Sequence, residues 1–188
     1  MKSINITFLI PLLLLYFPFI ALSDNRRGSL PPSVNCDTSI YPIILRDIST
    51  DDFATHYAGT LADERYTRYI AVFFNNCSEN NTKITVSFDN KDIDPNNGYL
   101  VNHATGPTAS DNVTFQLIDL EDNPINLNQR NVFTKNIDEN NEAFFRFAVN
   151  YVKKDNLPPK PGNVIAHITF IAEANGQIVE SDKIKIVD

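Results

Sequence analysis

Val164-Ile-Ala-His-Ile-Thr-Phe-Ile-Ala-Glu-Ala174 runs directly into Asn175-Gly-Gln-Ile-Val-Glu-Ser-Asp-Lys-Ile-Lys-Ile-Val-Asp188. In the first run Val164, Ala166, Ile168, Phe170 and Ala172 recur every second residue, which places them on one face of a half-buried strand. Asn175-Gly176, set between two strand-like runs, is a strong short-hairpin signal. The chain is therefore expected to return antiparallel to Val164–Ala172. Two registers compete. A two-residue turn pairs Ile168 with Lys183 and Ala166 with Lys185, bringing lysines onto the apolar face. A three-residue loop, Asn-Gly-Gln, pairs Ile168 with Ile184 and Ala166 with Ile186, as a bulged hairpin does. The second register also sets Phe170 opposite Asp182 and Ala172 opposite Glu180. The alternative to a completing strand is a mobile or edge tail.

The same alternation extends upstream. Ile70, Val72 and Phe74 alternate up to Asn75-Asn76-Cys77. Ile84, Val86 and Phe88 follow the polar cluster Ser78-Glu-Asn-Asn-Thr82, and Val113, Phe115 and Leu117 form a third set. Phe145, Phe147, Val149 and Tyr151 form a fourth. Between them lie stretches rich in Asn, Asp, Gly and Pro, such as Asp94-Pro-Asn-Asn-Gly98 and Asp155-Asn-Leu-Pro-Pro-Lys-Pro-Gly162, which carry turn chemistry. The 23 Asn residues fit this loop-rich plan. Pro42 marks its segment as an edge or interrupted strand. Only Thr50–Ala58 suggests a helical period. Short strands at this spacing predict an all-β sandwich, and a chain without Trp lacks the usual immunoglobulin Cys…Trp…Cys core.

The chain has 188 residues, with 16 Lys+Arg against 23 Asp+Glu and a formal charge of −7. That balance offers no basic footprint for nucleic acid. At 43% hydrophobic and 21% charged residues the composition fits neither a disordered chain nor a polytopic membrane protein. Met1-Lys2, the apolar run Phe8–Ile20 and the small residues around Ala21-Leu22-Ser23 read as a secretory signal peptide over residues 1–23, cleaved between Ser23 and Asp24. The run is shorter than the roughly 20 apolar residues a spanning helix needs and contains two prolines. The cleaved protein is thus not expected to be an integral membrane protein. Export puts Cys36 and Cys77 in an oxidising compartment, where an isolated pair becomes a disulfide; closing a loop of this length contributes about 4 kcal/mol in the chain-entropy model. A redox-active pair would need closer spacing, such as CxxC.

No catalytic or cofactor motif emerges. His56, His103 and His167 lie in three segments without HxH or HExxH spacing, and two cysteines cannot hold a structural zinc alone. No metal ligand is assigned, and His167 is expected on the exposed face of its strand. Asp89, Asp92, Asp94 and Asn96 break the calcium-loop pattern and read as a solvated loop. There is no GxSxG elbow and no phosphate-cradling glycine run. Neither an enzyme nor a cofactor is expected.

The order of these landmarks resembles the subunits of chaperone–usher fimbriae, the type 1 pilin-like family. Cys36 is followed by Ile43-Ile-Leu45. Ile70-x-Val72-x-Phe74-x-x-Cys77 looks like the family's second strand ending at the partner cysteine, and Lys83–Phe88 sits where the next strand lies. Asn112–Asp119 with Pro124-Ile-Asn-Leu127 resembles the central hairpin, and Phe145–Tyr151 with Pro161–Phe170 resembles the last two strands. The resemblance spans about Ser33 to Ala174. It implies an immunoglobulin-like (pilin-type) sandwich over residues 36–174 that lacks its final strand. Its groove is filled by a chaperone in the periplasm and by a neighbour's N-terminal extension in the fibre, through strand addition.

The sequence departs from that pattern twice. Residues 24–35 carry two Arg, Pro31-Pro32 and, besides prolines, only Leu30 and Val34 as apolar groups, which makes a poor donor strand. Residues 175–188 extend past the family's usual end, where Ala174 stands in place of a penultimate Tyr. Ala166, Ile168, Phe170, Ile184 and Ile186 are the residues expected to form either the acceptor groove or its self-complementation. The resemblance implies a fimbrial subunit acting in surface adhesion through donor-strand complementation, minor or tip-located because its extension is a poor donor. The implied partners are a periplasmic chaperone, an outer-membrane usher, other fimbrial subunits and a host receptor. The implied location is the fimbrium at the cell surface. The alternative is a self-complemented, free-standing secreted β-sandwich that binds a ligand or partner.

Overall fold

The alternating runs fold as strands, with one segment split in two. The structure, a computed structural model, describes residues 32–53 and 55–188, all within the unit Pro31–Asp188. β1 (Asp37–Ser39) and β2 (Ile43–Ile44) flank Pro42; β3 spans Arg68–Asn75, β4 Lys83–Phe88 and β5 Val113–Ile118. β6 (Val132–Asn136), β7 (Ala143–Lys153), β8 (Ile165–Ala174) and β9 (Gln177–Val187) follow. One sheet has the order β1-β3-β7-β5 and the other β2-β9-β8-β4-β6. The chain thus crosses from the first sheet to the second at Ile40–Pro42. Pro42 contributes no ladder donor and sits where none is needed.

The core fills the space between the sheets. Ile70, Val72 and Phe74 of β3 and Phe145, Phe147, Val149 and Tyr151 of β7 are buried on one side. Ile84, Val86, Ala166, Ile168, Phe170 and Ala172 are buried on the other. Phe147 packs edge-on against Phe88 of β4 and Phe133 of β6, with ring centroids 5.1 and 4.8 Å apart. Each such side chain contributes roughly 1.5–3 kcal/mol by leaving water. Cys36 and Cys77 form the disulfide, which joins the segment leading into β1 to the end of β3.

Four details differ from the sequence reading. All six residues of β5 are buried, whereas alternation assigned one face to solvent. The reason is that neighbouring chain closes its edge: Leu100 N–H donates to Phe115 C=O, Ile125 N–H donates to Leu117 C=O, and the buried Gln116 amide donates to Ile125 C=O at 2.6 Å. Pro124–Leu127 is part of that covering chain; it turns back antiparallel on the end of β5, but only through the bridge at Ile118 and Pro124 and the bonds of Ile125, and forms no strand of its own. β6 has no periodic signal because four of its five residues are exposed. Among its described residues, the helical hint at Thr50–Ala58 resolves to one 3-10 turn, Thr50–Asp52, whose Asp51 N–H is capped by Ser49.

Candidate functional site

β9 lies between β2 and β8. It runs antiparallel to β8 and parallel to β2, pairing Ile43 with Ile186 and Ile44 with Val187. Leu45 N–H donates to Val187 C=O at 2.8 Å, and Val164 N–H donates to the Asp188 carboxylate at 2.9 Å. The backbone groups that β2 and β8 would otherwise present are therefore satisfied by the chain itself.

The turn into β9 is the two-residue one. Asn175 and Gly176 have φ of 52° and 75°, as a type I′ hairpin requires. Yet Ile168 stands opposite Ile184 and Ala166 opposite Ile186, the register expected of a three-residue loop. A bulge reconciles the two. Glu173 pairs with Ile178 and Ala172 with Glu180, which leaves Val179 as the extra residue. That one residue keeps Lys183 and Lys185 on the outer face and lets Ile184 and Ile186, 3% and 0% exposed, enter the core.

Complementation is uneven along β9. The half near Val187 is apolar inward, whereas the half near the bulge sets Asp182 opposite Phe170 and Glu180 opposite Ala172. Asp182 is exposed, and it lines a cleft of about 300 Å³ with Glu180, Thr38, Ser39, Ile40 and Tyr41, beside the β1–β2 crossover. At the far end a second cleft of about 290 Å³ is lined by Ile48, Phe53, Tyr151, Val164 and Asp188, among others. Burial pushes the Asp188 carboxyl above its usual range, partly offset by the Val164 N–H. Burial, then Asp188 and Asp47, raises the Tyr151 phenol far above its ordinary value; its hydroxyl donates to Arg46 C=O at 2.9 Å.

The expected cleavage junction, Ser23 and Asp24, lies outside the described residues, as do residues 24–31 of the N-terminal extension. Val34, one of that extension's two apolar side chains, is buried in the domain's own core at 4% exposure.

Sequence reasoning missed one constellation. His103 and His167 come together with ring centroids 5.2 Å apart, and His103 Nε2 lies 3.0 Å from the Asp92 carboxylate. Lys183 of β9 binds the other oxygen of Asp92 at 3.1 Å. His167 is half-buried rather than exposed, because the Asp89–Asn102 connection folds over its face; Asp89 N–H donates to Thr169 C=O and His103 N–H to Ile165 C=O. Asp92 is likewise held in the protein rather than solvated. No linear spacing signals this grouping; strand alternation gave only the outward direction of His167 and Lys183. Among the described residues no helix is long and apolar enough to cross a membrane.

A family model described as fimbrial protein matches residues 37–173. The chain belongs to the fimbrial protein family. The match to this fimbrial domain ends at the close of β8, so β9 lies wholly beyond it. Comparison with curated proteins returns no match. Among solved structures, the domain is similar to the CupB6 tip adhesin from Pseudomonas aeruginosa, with a TM-score of 0.57 and 11% identity over 81% of this chain and 43% of that one. The chain thus spans less than half the length of that adhesin, and the likeness is one of fold. A Burkholderia pseudomallei antigen and type I fimbria protein, BPSL1626, aligns over 74% of this chain and 95% of its own, with 18% identity and a TM-score of 0.44. The family points to a surface appendage.

Proposed function

We propose that this chain is a minor or tip fimbrial subunit whose acceptor groove is held by its own β9 until a partner's donor strand replaces it. The observation that carries the reading is the insertion of β9 between β2 and β8, beyond the span shared with the family. A donor strand from a neighbour would use the same backbone groups and the same inward positions opposite Ala166, Ile168 and Phe170. The acidic half of β9 offers the place for exchange to begin, since Asp182 and Glu180 rather than apolar side chains stand opposite Phe170 and Ala172. The extension at residues 24–35 supports a terminal position: two Arg, two adjacent Pro and a Val34 committed to the core leave little to donate. The partners of this reading are a periplasmic chaperone, an outer-membrane usher, the next subunit and a host receptor, all bound non-covalently, with export through the periplasm after cleavage between Ser23 and Asp24.

Deleting Asn175–Asp188 tests it. The truncated chain should be unstable alone and recover a cooperative transition when a peptide of residues 177–188 is supplied in trans. Truncated protein that stays monomeric and equally heat-stable without peptide would show that β9 is not the occupant of a groove. Labelling of isolated surface fibres should place the protein at one end only. Labelling along the shaft, or none on fibres, counts against the terminal role and, in the second case, favours a free-standing domain.

A further inference from the structure

His103, His167 and Asp92 each present one ligand atom within 4.8 Å of the other two, although they come from β8 and two points of the β4–β5 connection. We propose that these three side chains form a binding site for a single zinc-class divalent cation. Two imidazoles and one carboxylate are the donor set of borderline transition metals, whereas calcium and magnesium prefer all-oxygen shells. Three protein ligands leave a fourth position for water, as in open zinc sites.

The surroundings fit that use. Asp92 has a side chain only 13% exposed, and Lys183 occupies its Oδ2 while Oδ1 faces His103. Lys183 thus orients the carboxylate through Oδ2, the role that outer-shell partners play around ligating carboxylates, and a metal would take the place of the proton between Oδ1 and His103 Nε2. Nδ1 of His167 is buried with no hydrogen-bond partner among the described residues, a state that leaves polar capacity unused. Metal–ligand bonds of about 2.0–2.2 Å put tetrahedral ligand atoms roughly 3.4 Å apart. The widest separation must close by up to about 1.4 Å through imidazole rotation, and His103, 37% exposed, has room for it. Lys185, paired with His167 across the strands, and Lys183 add opposing positive charge, so hard or weakly bound cations are disfavoured.

A cation here would clamp the β4–β5 connection to β8 beside β9, whatever use is made of the groove. The test is titration of untagged protein with Zn²⁺ alone by calorimetry, and with Co²⁺ followed by visible absorption. One saturable equivalent is expected, with the intense bands of four-coordinate Co²⁺ and a Tm rise of roughly 5–10 °C at about a hundredfold excess over Kd. His103→Gln/His167→Gln should weaken binding by about 100-fold or more, and His167→Gln alone should weaken it without lowering the metal-free Tm. His56→Gln, altered at the third histidine beside Phe53, should bind as the parent does. Absence of a saturable equivalent, or binding and Tm shift undiminished in the His103/His167 variants, overturns the site.

Discussion

Ile186 and Ile178 belong to one strand yet meet different environments, and the contrast isolates what β9 contributes. Ile186 is fully buried opposite Ala166, whereas Ile178 is 67% exposed beside the hairpin turn. Ile186→Ala should lower unfolding free energy by about 2–5 kcal/mol, and Ile178→Ala should stay within about 0.5 kcal/mol, both by urea titration. Equal effects would mean that β9 does not fill the core. Asp188 gives a pH signature at the same end. Its folded pKa is raised, first by burial, so between the unfolded value of 3.8 and the folded one the native state binds more protons than the unfolded state. Stability contributed by this group is present below 3.8 and is lost as pH rises through the folded pKa. Asp188→Asn should flatten that decline while its amide oxygen still accepts from Val164. An unchanged slope would remove Asp188 as its source. Single residues were legible from the sequence where a period of two governed them, as for Ile184 and Ile186. They were not where loops decide, as for Asp92 and His103, whose neighbours are separated by a strand-to-strand connection.

At the scale of elements, the bulge explains how Asn175-Gly176 and an apolar inner face coexist. A two-residue turn alone would turn Lys183 and Lys185 inward, since a shift of one residue reverses every side chain. Removing Val179 takes out the extra residue while keeping Ile168 opposite Ile184. Its deletion should therefore cost only about 1 kcal/mol, from partial loss of a half-buried side chain. Deleting Val179 and Glu180 together shifts the strand by one and should destabilise as strongly as losing β9. Thermal melts of the two deletions separate these outcomes, and a severe effect of the single deletion would show that the bulge itself sets the register. The sequence weighed turn and register as one choice, because it could not show that a bulge three residues past the turn uncouples them. β5 and β6 were partly illegible for opposite reasons. β5 is buried throughout, with its free edge closed by the chain around Leu100 and Ile125, and β6 is exposed at all positions but Phe133, so neither matches the one-sided alternation that reveals a strand.

At the scale of the molecule, the first segment of the sandwich is fastened twice, once to each sheet. The Cys36–Cys77 bridge and the pairing of Asp37–Ser39 with Phe73–Asn75 hold it to β3; the pairing of Ile43 and Ile44 with Ile186 and Val187 holds it to β9. Only Ile40–Pro42 separates the two fastenings, and the cleft with Glu180 and Asp182 opens there. The isolated cysteine pair made the first fastening readable, but the second depends on a parallel contact between residues more than 140 positions apart, which no local pattern records. Cys36→Ala/Cys77→Ala should lower stability by about 2–5 kcal/mol. If the short crossover transmits slack from one sheet to the other, combining this change with Ile186→Ala should depart from additivity by more than about 0.5 kcal/mol, although the substituted groups lie on different sheets. Additivity within that margin in a double-mutant cycle would instead show that bridge and tail strand stabilise independent halves. Strand exchange at β9 would then leave the disulfide-bonded sheet undisturbed.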